Sequence, residues 1–141
     1  MSASKKLSTA VKALYFLAET DPEPQNSITI ANGIGSNASK LRQILSMLVK
    51  NNIIKSTYGT NGGFLIAKNI NEIHLQEVYC AVEDRKAFYL DVSEVNGTGM
   101  EDAKKMNGLF LNLFSDIQVE IENKMRKIYL NNIIEQIKLT N

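Results

Sequence analysis

Residues 36–68 read SNASKLRQILSMLVKNNIIKSTYGTNGGFLIAK, and this stretch decides the fold. From Asn37 to Lys50, Leu41, Ile44, Leu45 and Leu48 recur at the spacing of one helical face. The opposite face holds Ser36, Ser39, Lys40, Gln43 and Lys50, all polar or basic and none acidic. Asn51-Asn52 ends the helix, and the β-branched run from Ile53 to Tyr58 predicts a strand. Gly59-Thr60-Asn61-Gly62-Gly63 is a strong turn sequence, and Phe64 to Ala67 reads as the returning strand. A polar-faced helix followed at once by a glycine-tipped hairpin is the core of the reading.

Working outward, Leu7 to Glu19 predicts a helix through Leu7, Val11, Leu14, Tyr15 and Ala18. Asp21-Pro22-Glu23-Pro24 stops it, because proline lacks a backbone donor and restricts the residue before it. Ile28 to Ile34 is short and apolar, compatible with a strand or a two-turn helix, and Gly33 and Gly35 punctuate its end. Beyond the hairpin, Leu75, Val78, Tyr79 and Val82 predict a short helix ending near Glu83. Asn96-Gly97-Thr98-Gly99 predicts a flexible loop. Asp102 to about Tyr129 predicts a long helix, with Ile133 to Leu139 a final amphipathic segment.

This order is the plan of a winged helix-turn-helix domain, whose third helix enters the major groove while the hairpin reaches toward a neighbouring groove or the backbone. The expected fold is therefore mainly α with a small β-hairpin. Residues 1–86 form the DNA-binding domain, and residues 87–141 a linker and long C-terminal dimerisation helix. That helix has more apolar surface than so small a domain can cover. Its three-and-four spacing suits helix–helix packing, which places Met106, Phe110, Leu113, Ile117 and Ile121 in a homodimer interface.

Charge supports the same partner only when it is mapped. The whole chain carries 16 Lys+Arg against 15 Asp+Glu, a net +1. Yet residues 24–71 hold no acid in 48 positions, while Lys40, Arg42, Lys50, Lys55 and Lys68 fall inside them. Residues 1–86 have 10 bases and 7 acids, net +3; residues 87–141 have 6 and 8, net −2. Surfaces that meet a phosphate backbone exclude carboxylates, since each weakens binding.

Other chemistry is poorly supported. One cysteine, Cys80, rules out an intrachain disulfide framework, and with one histidine, His74, it leaves too few ligands for a Cys/His zinc site. No apolar run approaches the ~18 residues of a membrane span, and MSASKKL lacks the apolar core of a signal peptide, so a cytoplasmic protein with no membrane partner is expected. Gly33-Ile34-Gly35-Ser36-Asn37-Ala38 fits the dinucleotide fingerprint G-x-G-x-x-A, but no acid follows about 20 residues on to hold a ribose. Those glycines are better explained as the turn between two helices. His74 has no nucleophile or carboxylate that the sequence forces near it, and reads as structural. Cys80 lies off the apolar face of its helix and is a possible redox sensor, a role that needs an accessible, acidified thiol. No residue reads as catalytic, and no cofactor is expected.

Three stretches together carry a family resemblance. Leu41-Arg42-Gln43-Ile44-Leu45 with Leu48 and Asn51-Asn52-Ile53-Ile54 is followed by Gly59-Thr60-Asn61-Gly62-Gly63-Phe64-Leu65-Ile66. Then comes Ile73-His74-Leu75 with Val78-Tyr79 and Ala81-Val82-Glu83. The combination resembles the bacterial Rrf-two family of winged-helix regulators, closely over residues 7–84 and more loosely beyond. The resemblance implies a dimeric DNA-binding repressor, with recognition-helix contacts at Ser36, Ser39, Lys40 and Gln43 and wing contacts from Tyr58 onward. Members with an iron–sulfur cluster hold it with three cysteines before the long helix, whereas Phe88 to Met106 has none here. The chain resembles the cluster-free branch. It also departs at Tyr58, where many relatives place a base before the wing glycine; a tyrosine hydroxyl still suits a phosphate.

The expectation is a homodimeric repressor on a palindromic operator of double-stranded DNA, with an unknown effector. Lys40, Lys50 and Lys55 neutralise phosphates. Gln43, Ser39 and Arg42 read base edges, glutamine matching adenine at two points. Tyr58, Thr60 and Asn61 act from the wing. A ligand-responsive winged helix of the MarR type shares this architecture, and a winged helix used for protein interaction is a further alternative. An enzyme is the weakest.

Overall fold

Asn26 and Asn37 each open a helix by the same device. In the computed structural model, which describes residues 3–83 and 101–140, Asn26 Oδ1 accepts the Thr29 N–H at 2.8 Å and starts α2 (Ser27–Ile34). Asn37 Oδ1 accepts the Lys40 N–H at 3.1 Å and starts α3 (Ala38–Lys50). Residues 28–34, compatible with either element from sequence, are thus helical. The loop expected at residues 96–99 and the boundary between residues 86 and 87 lie outside the described residues.

Ahead of them, α1 (Ala3–Thr20) supplies Ala10, Ala13, Leu14 and Leu17 to the core. Leu41, Ile44, Leu45 and Leu48 of α3 meet them, together with Ile30 and Ala31 of α2. Each buried leucine or isoleucine contributes about 1.5–3 kcal/mol on leaving water, so this cluster fixes how α1, α2 and α3 pack.

The ends of α2 and α3 are closed alike. At α2, Gly35 adopts φ 69° and the Ser36 N–H reaches back to Ala31 O at 2.9 Å. At α3, Asn52 adopts φ 61° and the Ile53 N–H reaches Leu48 O at 3.0 Å. Both are left-handed caps that satisfy carbonyls the helix leaves open. Gly35 therefore belongs to the helix–helix turn, as the sequence predicts. Gly33 does not. It lies inside α2, where a Cβ would come within 2.3 Å of the Phe16 ring.

The hairpin follows α3 directly. β1 (Ile54–Thr57) pairs antiparallel with β2 (Gly63–Ile66), with Ile54 opposite Ile66 and Thr57 opposite Gly63. Ile54 is buried against the helices and Lys55 points outward. A second pairing was not legible beforehand. Gln25, just before α2, bridges Phe64, its N–H donating to Phe64 O at 3.2 Å and its carbonyl accepting the Phe64 N–H at 2.8 Å. The wing is thereby tied to the entrance of the helix-turn-helix.

α4 (Leu75–Val82) buries Val78, Tyr79 and Val82. His74 caps it: Nδ1 accepts the Glu77 N–H at 3.2 Å, and Glu77 Oε1 accepts the His74 N–H at 3.0 Å. The chain's single histidine has a structural task, as expected. α5 (Glu101–Arg126) packs its C-terminal half on α4 through Gln118 and Met125. α6 (Leu130–Leu139) returns to the first core with Leu130 and Ile134, latched by Leu75 N–H to Ile128 O and Leu130 N–H to Ile73 O, both 2.8 Å.

Candidate nucleic-acid interface

With Leu41, Ile44, Leu45 and Leu48 turned inward, the 3.6-residue repeat fixes what α3 shows to solvent. Ser39, Gln43, Ser46 and Lys50 lie along its outer midline, all exposed. Lys40 and Arg42 flank that line on opposite sides, also exposed, and Ser36 is half-buried in the turn. Arg42 is tethered. Its Nε donates to Ser27 Oγ at 3.3 Å, a link from α3 to the start of α2.

The wing adds Lys55 on its outer face and Tyr58, Thr60 and Asn61 at its tip, all exposed. Tyr58 is 93% accessible, the most exposed of the large apolar side chains described. The tip is held by Thr57, whose Oγ1 accepts the Gly63 N–H at 3.1 Å, and by a Gly62 N–H to Gly59 O bond at 3.0 Å.

Among the described residues, no carboxylate lies within ion-pair distance of Lys40, Arg42, Lys50 or Lys55. Lys68 differs, bonded to Glu77 at 2.7 Å. Four uncompensated cations on one helix and the adjoining hairpin present a field suited to a polyanion. The structure thus brings the predicted contacts of α3 and the wing onto consecutive elements of one rigid core. Ser27 was missed, for a lone serine at a helix start carries no distinguishing sequence pattern.

On α5, Met106, Leu109, Phe110, Leu113 and Ile117 form a stripe between 39% and 56% exposed. Phe114 and Ile121 are half-buried on the neighbouring side, toward α4. Cys80 is exposed, and its Sγ accepts the Gln76 Nε2 hydrogen at 3.3 Å. It lines a cleft with Lys6, Lys50 and Glu83, and Glu83 lies 3.6 Å from Lys6.

A family model described as an iron-dependent transcriptional regulator, Rrf2, matches residues 3–136. The chain belongs to the Rrf2 family. Its relatives include the HTH-type transcriptional regulator YffB of Lactococcus lactis, 25% identical over 138 residues, covering 96% of this chain and 88% of that one. The regulator IscR of Klebsiella pneumoniae is 33% identical over 91 residues, which take in 64% of this chain and only 52% of that protein. Among solved structures, T. potens IscR superposes with a TM-score of 0.71 at 21% identity, covering 97% of this chain and 88% of that one. CymR, the global cysteine regulator of B. subtilis, gives 0.68 at 18%, covering 96% and 98%. At such identities these structures establish a common fold. Family membership makes this chain a DNA-binding transcriptional regulator of the Rrf2 type rather than of the MarR type.

The family description names iron, so the donor set matters. Cys80 and His74 are the only thiol and imidazole in the chain, and His74 Nδ1 is engaged as a helix cap. Among the described residues no three His, Cys, Asp or Glu side chains gather as a metal site. These residues do not fit a cluster held by three thiolates of one chain. Among the described residues, too, no helix is long and apolar enough to cross a membrane.

Proposed function

We propose that this Rrf2 protein is a homodimeric, non-enzymatic repressor, acting in the cytoplasm on a palindromic operator without an iron–sulfur cluster. The observation that carries the reading is the acid-free face of α3 and the wing, whose Lys40, Arg42, Lys50 and Lys55 have no carboxylate partner among the described residues. Lys40, Lys50 and Lys55 supply phosphate contacts, Gln43 and Ser39 the base edges, and Tyr58, Thr60 and Asn61 the wing contacts. Residues 1–86 are the DNA-binding unit. Within residues 87–141, α5 is the dimerising element, and α6 packs back on the first core.

The homodimer is supported by the apolar stripe of α5. Its side chains recur at three- and four-residue steps and stay 39–56% exposed, the pattern expected of a helix that packs on the same helix of a second copy. A two-fold dimer presents two α3 helices to two half-sites, hence the palindrome. Repression follows by occupancy, since a bound dimer excludes other proteins from the same DNA. The single thiol supports the cluster-free reading, and an exposed Cys80 supports a redox-reactive thiol instead.

Selection of bound DNA from a random pool, read at two salt concentrations, tests this. The expected result is an enriched palindrome whose binding weakens steeply with salt. An absence of enrichment at low salt refutes the reading.

A further inference from the structure

The recognition face contains one side chain that is already anchored. Arg42 is exposed, yet its Nε donates to Ser27 Oγ at 3.3 Å across the angle between α2 and α3. A free arginine on a recognition helix samples many rotamers, and ordering such a side chain on binding costs about 2- to 12-fold in affinity. With Nε occupied, the guanidinium keeps its two terminal nitrogens, an end-on fork. That fork matches the O6 and N7 acceptors of guanine in the major groove. Arg42 lies one residue from Gln43, on the α2 side of the exposed midline, whereas Lys40 occupies the opposite flank and offers only a point charge.

We propose that Ser27 is a positioning residue that presents the Arg42 guanidinium to a guanine in each operator half-site. The proposal rests on the DNA-binding reading above and deepens it by naming a specificity determinant outside the recognition helix. Ser27 itself touches no base. It acts by shortening the list of conformations Arg42 adopts before DNA arrives. Its N1 position in α2 leaves the Asn26 cap bond to Thr29 intact when the hydroxyl is removed.

The test compares full-length wild type, Ser27→Ala, Ser27→Thr and Arg42→Ala by selection from random duplex pools, followed by titration of the selected operator and its single-base variants. Arg42→Ala should relax one guanine per half-site, losing about 5- to 150-fold of discrimination there. Ser27→Ala should relax the same position by about 2- to 12-fold, with melting temperature and salt slope unchanged. Ser27→Thr, which keeps the hydroxyl, should retain the preference.

Four outcomes overturn the proposal, the last together with the reading it rests on. If Arg42→Ala weakens all sequences evenly and lowers the salt slope, Arg42 binds phosphate. If Arg42→Ala relaxes the guanine and Ser27→Ala does not, the tether is idle. If wild type enriches a palindrome with no guanine sensitive to Arg42, the recognition is elsewhere. Wild type that enriches no DNA at low salt refutes the DNA-binding reading itself, and the proposal with it.

Discussion

Leu113→Glu tests the dimer at the centre of the α5 stripe. Leu113 is 45% exposed, and Met106, Leu109, Phe110 and Ile117 beside it keep similar fractions open. Fully burying such a side chain contributes about 1.5–3 kcal/mol, so covering the remaining half contributes roughly 1 kcal/mol each. Five side chains on each of two copies then supply on the order of 10 kcal/mol, against an association cost of about 4–15 kcal/mol. The margin is thin. Leu113→Glu removes roughly 2 kcal/mol of burial from the pair and carries two carboxylates into an apolar seam at several kcal/mol each. Dimer association should weaken by at least about 5 kcal/mol, near 10⁴-fold.

Val119, 49% exposed, lies on another side of the same helix, so Val119→Glu makes the same kind of change outside the stripe. Sedimentation equilibrium over nanomolar to tens-of-micromolar protein should find wild type and Val119→Glu dimeric and Leu113→Glu monomeric, with equal far-UV circular dichroism. A wild type that is monomeric at concentrations that saturate its operator refutes the α5 interface. Equal dimerisation of the two variants refutes it as well.

Gly63→Ala should destabilise by about 1–3 kcal/mol in urea denaturation, because its Cβ would fall 2.5 Å from the Gln25 carbonyl oxygen and 2.6 Å from its carbon, backbone atoms that cannot swing aside. Gly108→Ala, with open space around its Cβ in the middle of α5, should stabilise by about 0.5–1 kcal/mol; the opposite ranking would refute the wing latch. Gln43→Ala should cost roughly 1–3 kcal/mol on the operator and relax one base position, and unchanged base preference in selection would remove Gln43 from the readout. Iron chelation should leave operator affinity unchanged, and a chelator-sensitive mobility shift would refute the cluster-free reading. If Lys40, Lys50 and Lys55 each meet a phosphate in both half-sites, log affinity should fall against log salt with a slope of roughly −5, and Lys40→Ala should lower it by about 2 per dimer, one per half-site.

The sequence made some of this legible because the physics was local. The α3 face follows from leucine spacing, and its start from Asn37. The hairpin follows from Gly59 to Gly63, where the turn demands residues that tolerate unusual backbone angles: Gly59 sits at φ 105°. The pairing of Gln25 with Phe64 joins residues 39 apart through backbone groups alone, which leave no side-chain pattern to read. Its trace was Gly63, one glycine more than the turn needs, kept small by the approach of the Gln25 backbone. His74 as a helix cap was equally hard to foresee, because serine, threonine, aspartate and asparagine dominate that position. For α6, the amphipathic pattern of Ile133 to Leu139 announced an apolar side but not that Leu130 and Ile134 would join the core of α1 and α3.

Net charge misled for a related reason. A sum of +1 averages a wing and helix without carboxylates against a C-terminal segment rich in them, and an average carries no position. The fold converts position into field: α3 and the wing follow one another on one core, so four cations close in sequence stand exposed on adjoining elements, while Lys68 is neutralised by Glu77. The acids of α5 lie on the element that supplies the apolar stripe, away from that surface. In the proposed dimer, acidic residues beside the apolar stripe would keep α5 soluble before a second copy covers it, while a face that excludes acids suits a polyanion. On the proposed reading, the two halves of the chain differ in charge because one would meet DNA and the other a second copy.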